Sequence, residues 1–256
     1  MMRDFFQKLA QLEMTGETFV LATVTDTGGS TPRMAGAQMV IWKDGTDGTV
    51  GGGAFEHRLI QDAHELLENQ GRRCTEISVH LVRDLGMCCG GKMTAFLQKI
   101  EPAPRLRIYG AGHIGTELAR VAAIAGFDVS VIDGREEWAN PSRFPDNVTV
   151  LDLEPEDDIT AQDTFDYVVV VTHSHPLDET IIRKILDEQP SYLGLIGSRG
   201  KWARFSKRLM ARGLSEEQLS QVHCPVGFDL GGHTPGEIAV SVVAEMITAR
   251  RKELQT

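Results

Sequence analysis

Apolar positions recur with two different periods along the 256-residue chain. Near the start, Phe5, Phe6, Leu9 and Leu12 fall at helical spacing and predict a short amphipathic helix. Residues 19–24 and 37–42 are β-rich apolar runs and predict strands. Over 54–69, Phe55, Leu59, Ala63 and Leu66 or Leu67 line up as one helical stripe. Strands are predicted again over 75–82 and 93–100. Glycine-rich loops at 27–33, 48–53 and 86–91 interrupt these elements. The pattern predicts a small α+β module.

Beyond residue 105 the pattern changes to regular alternation. Short apolar runs at 106–109, 129–133, 148–151, 167–172, 192–196 and 222–226 predict strands. Helical stripes at 114–125, 177–188 and 201–212 lie between them. Strands alternating with helices predict a parallel, doubly wound α/β sheet. The last helix is predicted to start at Thr234-Pro235-Gly236-Glu237. There Thr234 is the N-cap, Pro235 suits the first turn and Glu237 completes a capping box. Ile238, Val242, Met246 and Ala249 form its buried stripe. Two prolines, Pro102 and Pro104, mark a linker between the regions. The organisation expected is therefore an α+β domain over 1–101, a linker over 102–104 and a Rossmann-like domain over 105–256.

Composition narrows the function classes. Hydrophobic residues make up 41% and charged residues 24%, which describes an ordinary globular chain. The net charge of −10 argues against nucleic acid as a partner. No apolar window is long enough for a membrane span, and the first residues lack the apolar core of a signal peptide. A cytoplasmic chain with reduced thiols is expected from its four cysteines, Cys74, Cys88, Cys89 and Cys224. No C-x-x-C pair supports a structural zinc ribbon. Cys88 and Cys89 are adjacent, inside Gly86-Met87-Cys88-Cys89-Gly90-Gly91. That turn reads either as two small half-buried residues or as soft thiolates that bind a metal or carry sulfur.

The second region carries a dinucleotide fingerprint. Strand residues 106–109 run into Gly110-Ala111-Gly112-His113-Ile114-Gly115, a helical stripe follows, and Asp133 ends the next strand. Gly110 permits the tight turn, Gly112 lets a pyrophosphate approach the backbone, and Gly115 packs helix on strand. Asp133 is placed to hold a ribose 2′-hydroxyl and so favours NAD over NADP; Arg135 weakens that discrimination. His113 sits inside the phosphate loop. His173 and His175 follow the fourth strand, and Ser198 and Arg199 the fifth, so all four are expected in the crevice past the strand ends. His173 and His175, two apart in extended chain, suit an acid–base pair or, with Asp178, a metal; equally, they cap the next helix.

These motifs together resemble the XdhC/CoxI family of accessory proteins for xanthine dehydrogenase and related molybdenum hydroxylases. The resemblance covers nearly the whole chain. It rests on Gly29-Ser30-Thr31-Pro32-Arg33 with Gly36-Ala37, on 48–56 with its three glycines Gly51, Gly52 and Gly53 and its glutamate Glu56, and on 86–91. In the second region it rests on 110–115, 172–178, 194–199 and 224–227. Two positions depart from the family pattern: Ala54, where one branch often has cysteine, and Gly236, where alanine is more usual. What the resemblance implies is a chaperone for the molybdenum cofactor (molybdopterin). Such a protein binds the cofactor while a cysteine desulfurase supplies sulfur, then delivers it to xanthine dehydrogenase or a related hydroxylase; a homodimer is also implied. The residue chemistry is compatible: the glycine loops expose backbone N–H groups to oxyanions, Arg33 and Lys92 adjoin two of them, and Cys88 and Cys89 are soft donors for molybdenum. The fingerprint leaves two other readings: an NAD(P)-dependent oxidoreductase, and a nucleotide-sensing module that acts through partner binding.

Overall fold

The computed structural model describes residues 2–69, 71–86, 90–159 and 167–253. The chain divides into two compact units that part at Pro102 and Ala103.

The first unit is an antiparallel sheet in the order β3-β2-β1-β5-β4. Its strands are β1 (Phe19–Gly28), β2 (Gln38–Trp42), β3 (Gly45–Gly48), β4 (Cys74–His80) and β5 (Lys92–Ile100). Alternation along β1 explains the layers. Val20, Ala22 and Val24 pack with Phe55, Leu59, Ala63 and Leu66 of α2 (Gly53–Glu68). Phe19 faces the other way, toward Phe5 and Leu12 of α1 (Met2–Met14).

Two elements of this unit depart from the sequence pattern. β3 is a four-residue strand, Gly-Thr-Asp-Gly, paired to β2 from Trp42↔Gly45 to Met39↔Gly48. It lacks any apolar alternation, so only pairing reveals it. The strand expected over 75–82 stops at His80, and Leu81–Leu85 forms the short helix α3. Asp84 turns the chain there by accepting the His80 backbone N–H at 2.8 Å.

The second unit is a parallel sheet in the order β11-β10-β9-β6-β7-β8. Its strands are β6 (Arg105–Tyr109), β7 (Asp128–Ile132), β8 (Val148–Leu151), β9 (Tyr167–Val170), β10 (Tyr192–Leu195) and β11 (Val222–His223). Counted within the unit, the order is 3-2-1-4-5-6, that of a dinucleotide-binding Rossmann sheet. Consecutive residues serve opposite layers. Ile108 and Val169 pack with Leu118 of α4 (His113–Ile124) and Val242 of α9 (Pro235–Glu253). Tyr109, Val168 and Val170 pack with Ile181 and Ile185 of α6 (His175–Glu188) and Phe205 of α7 (Arg199–Ala211). Both faces are covered, so the strands read as continuous apolar runs.

The expected run over 222–226 yields only two strand residues, because Pro225 has no N–H for the ladder. Two short helices, α5 (Pro155–Asp158) and α8 (Glu216–Ser220), were not in the pattern; Ser215 and Gln218 close a capping box on α8. The predicted box on α9 is present: Thr234 Oγ1 accepts the Glu237 N–H at 3.3 Å and Glu237 Oε2 accepts the Thr234 N–H at 2.9 Å. Among the described residues, no helix is long and apolar enough to cross a membrane.

Candidate cofactor sites

In the first unit the antiparallel register gathers the glycine loops at one end of the sheet. Gly28 at the end of β1 pairs with Lys92 at the start of β5, and Lys92 pairs with His80 at the end of β4. Gly91 is packed under the first loop: a Cβ there would lie 2.5 Å from the Ser30 carbonyl and 2.6 Å from that of Gly28. Gly51 is packed against the same loop, since its Cβ would meet Pro32 at 2.7 Å and Arg33 Cγ at 3.4 Å. The run Gly51, Gly52 and Gly53 has φ of 126°, 73° and 64°, backbone that favours glycine three times in succession.

Glu56 holds this run in place. Its Oε2 accepts the Val50 N–H at 3.1 Å, the Gly52 N–H at 3.0 Å and the Thr49 hydroxyl at 2.5 Å. The glutamate stood in the sequence motif, but its role as anchor needed the structure. Gly52 caps α2 without a side-chain hydrogen bond, so the helix start offers backbone N–H groups to an oxyanion. Arg33 and Lys92 are exposed at this end. Cys88 and Cys89 lie outside the described residues; Gly90 and Gly91, which follow them, lie beside Gly29.

In the second unit a cavity of about 260 Å³ opens where the strand order reverses, between β6 and β9. Gly110, Asp133, Arg135, Glu154, Thr172 and His173 are among its lining residues. Gly110 and Gly115 are glycine for want of room: a Cβ on Gly115 would strike the Gly110 carbonyl, and one on Gly110 would lie 2.5 Å from the Val171 carbonyl. Gly112 is different. Its Cβ would meet nothing within 4 Å, and it caps α4 with no side-chain hydrogen bond, leaving open space at the helix start.

Asp133 is 4% exposed and fully engaged. Its Oδ2 accepts the Ala111 N–H at 2.8 Å and Arg135 Nη2 at 2.7 Å. Its Oδ1 accepts the Arg135 N–H at 3.1 Å and Nε at 2.8 Å. Burial alone would push this carboxyl up, but the hydrogen bonds from Arg135 and Ala111 outweigh burial and hold it below the ordinary aspartate value. Arg143 braces the phosphate loop from outside, donating to the Ala111 carbonyl at 3.0 Å and to Thr116 Oγ1 at 3.2 Å. Arg135 and Arg143 both lie over the Trp138 ring, and His113 meets that ring edge-on at 5.3 Å.

Of the remaining predicted residues, His175 and Asp178 approach each other, Nδ1 to Oδ2 at 3.5 Å, but the others do not join them. His175 is the first residue of α6, so the extended geometry assumed for His173 and His175 does not exist. Asp178, the third group of the suggested metal site, is 0% exposed and accepts Lys201 Nζ at 2.9 Å and the Thr172 hydroxyl at 2.6 Å. Among the described residues no three His, Cys, Asp or Glu side chains converge to hold a metal ion. That suggestion is corrected: the buried carboxylate already has its cation. Ser198 and Arg199 do not line the cavity either; Ser198 caps α7 by accepting the Lys201 N–H at 3.2 Å. Sequence reasoning missed Lys201, whose ammonium also reaches the Ile196 carbonyl at 3.0 Å. It lies 23 residues from Asp178 and on a different helix, so local spacing gave no signal of the pairing.

A half-buried carboxylate, Glu245 on α9, accepts the Tyr192 hydroxyl at 2.6 Å, the Gly227 N–H at 2.7 Å and a hydrogen bond from His223 Nδ1 at 2.9 Å. Burial pushes its carboxyl up, yet the His223, Tyr192 and Gly227 hydrogen bonds together hold it below the ordinary 4.5. A depressed carboxyl stabilises the fold above its unfolded value and loses that contribution as pH falls through the folded one. The stability gap between wild type and Glu245→Gln should therefore shrink as pH drops below 4.5. Thermal unfolding at pH 7 and pH 4 checks this; an unchanged gap would exclude the ionised carboxylate as the cause.

Comparison with known proteins matches residues 106–246 to the family model described as the XdhC Rossmann domain, and 12–78 to that of the XdhC and CoxI family. The chain belongs to the XdhC family. An uncharacterised protein of Escherichia coli, YqeB, is 34% identical over 96% of this chain and 46% of its own length. A probable xanthine dehydrogenase subunit of Bacillus subtilis is 38% identical over 61% of this chain and 46% of its own. This XdhC-family chain thus spans about half the length of those two relatives. The molybdenum cofactor insertion chaperone PaoD of Escherichia coli is 27% identical over 93% of this chain and 85% of its own. The fold is shared with a crystal structure described as a xanthine dehydrogenase from Bacillus halodurans, with a TM-score of 0.52 at 21% identity over 96% of this chain and 95% of that one.

Proposed function

We propose that this chain is an accessory protein that binds the molybdenum cofactor and assists its sulfuration and its insertion into xanthine dehydrogenase or a related molybdenum hydroxylase. The observation that carries the reading is the gathering of the glycine loops at one end of the first sheet, beside the start of α2. Membership in the XdhC family and likeness to a named cofactor insertion chaperone support it. The cofactor is an anionic pterin phosphate whose metal supplies the oxidative chemistry of its final host. The chain's own residues have a simpler task. The backbone N–H groups of Gly53 and its successors, with Arg33 and Lys92, hold the phosphate. Cys88 and Cys89 offer thiolates to the metal or to sulfur delivered by a cysteine desulfurase.

The test is to purify the chain from cells that make the cofactor and to measure bound molybdenum and pterin. Wild type should retain both, and the Cys88→Ala, Cys89→Ala variant should lose at least tenfold. Equal retention by the two proteins would remove the thiolates from the binding account.

We further propose that the second unit binds an adenine nucleotide, through which loading is sensed or timed. The cavity at the strand-order reversal, the crowded Gly110 and Gly115 and the open Gly112 support this. Calorimetric titration with NAD tests it, and the absence of binding would refute it. An oxidoreductase reading has less support, because His175 serves as the first residue of α6 and the buried Asp178 is paired with Lys201.

A further inference from the structure

The cavity of the second unit holds a carboxylate that neither the fingerprint nor the family motifs single out, that of Glu154. It follows β8 and immediately precedes Pro155 of α5. Its carboxylate lies directly over Gly134, in the space a Cβ on that glycine would occupy. Gly134, Glu154, Asp133 and Arg135 all line the cavity.

Asp133 stands where a Rossmann sheet presents its ribose-binding acid. Here its oxygens accept four N–H donors, two on each, from Ala111 and Arg135. A carboxylate offers about four acceptor directions, and all are taken. Asp133 therefore ties the phosphate loop to Arg135 and has no capacity left for a ligand hydroxyl. Among the described residues lining the cavity, Arg135 is the one lysine or arginine. Its guanidinium is bound to both Asp133 oxygens, so a ligand phosphate could claim it only by leaving a buried carboxylate unpaired.

Resting on the nucleotide reading above, we propose that Glu154, rather than Asp133, accepts the ribose hydroxyl of the bound nucleotide and excludes a nucleotide phosphorylated at the 2′ position. The physical basis is an asymmetry of charge. A free hydroxyl donates to the carboxylate, whereas a 2′-phosphate meets two carboxylates balanced by a single guanidinium already spoken for. The cavity, about 260 Å³, is below the roughly 300–1,000 Å³ of whole-ligand pockets, and suits the nucleoside end of such a molecule.

NAD and NADP differ only by the 2′-phosphate and are the probes. Wild type should bind NAD at least tenfold more tightly than NADP by calorimetry. Glu154→Gln removes the charge on an exposed residue; it should leave the melting temperature unchanged and reduce the ratio to threefold or less. Gly134→Ala displaces the same carboxylate without altering any charge, and should narrow the ratio likewise. An unchanged ratio in both variants, or a wild type that prefers NADP, overturns the role of Glu154 while nucleotide binding stands. Failure of wild type to bind either dinucleotide overturns both.

Discussion

Lys201→Met is expected to destabilise the second unit by about 3–5 kcal/mol, the cost of leaving a buried charge without its partner. Asp178 is wholly buried, and the Lys201 side chain is only 14% exposed. The substitution retains the aliphatic bulk that fits beside Gly197, where a Cβ would lie 2.7 Å from Lys201 Cδ. What it removes is the ammonium that satisfies Asp178 and the Ile196 carbonyl together. Adding Asp178→Asn should restore much of the loss, because a neutral amide still accepts the Thr172 hydroxyl without needing a cation. Trp202, next to the lysine and partly buried, reports urea unfolding by fluorescence. A loss under about 1 kcal/mol for the single variant would mean that the carboxylate does not depend on the lysine. Cys224 is a further probe: burial first, and then Asp178, push its thiol up to about 11 despite the nearby ammonium of Lys201. Without that ammonium the thiol should become still less acidic and react more slowly with a maleimide.

Gly115→Ala carries the other large effect, about 3 kcal/mol, toward the upper end for overpacking a tight contact. The obstacle is the backbone carbonyl of Gly110, which cannot rotate aside as a side chain could. Relief requires α4 to move away from β6, and that shift widens the phosphate loop. Both melting temperature and NAD affinity should fall. Gly112→Ala separates the two effects, since its Cβ enters open space at φ −67°. It should keep the stability of wild type and lose NAD affinity alone, through bulk where the pyrophosphate would approach. If Gly115→Ala melts with wild type, the close approach of helix and strand is not what demands glycine.

Much of the fold was legible in the chain because its causes are local. The switch from irregular strands to strand–helix alternation marked the Rossmann unit, and the α9 capping box was visible as Thr234 and Glu237 three residues apart. The missed elements share a physical reason. β3 is a strand only because β2 offers it hydrogen bonds, and α3 exists because Asp84 captures the His80 N–H. Neither cause leaves an apolar periodicity. For the second site, the glycines of the phosphate loop were legible; of the two readings left open for the histidine pair, the one-face reading fails, because two residues apart means one face only in extended chain and His175 is helical.

The sequence by itself determined where the backbone must be glycine, where strands and helices alternate and which family the motifs resemble, since each follows from neighbouring residues and their sterics. Only the tertiary structure decided which charge answers which. Asp133 is closed by Arg135, Asp178 by Lys201, and Glu154 is left facing the cavity. Such pairings depend on strand order and on loops meeting across distances that no local pattern records. The same holds for the first unit, where antiparallel register, and not spacing along the chain, brings Gly29, Gly51 and Gly91 to one end of the sheet.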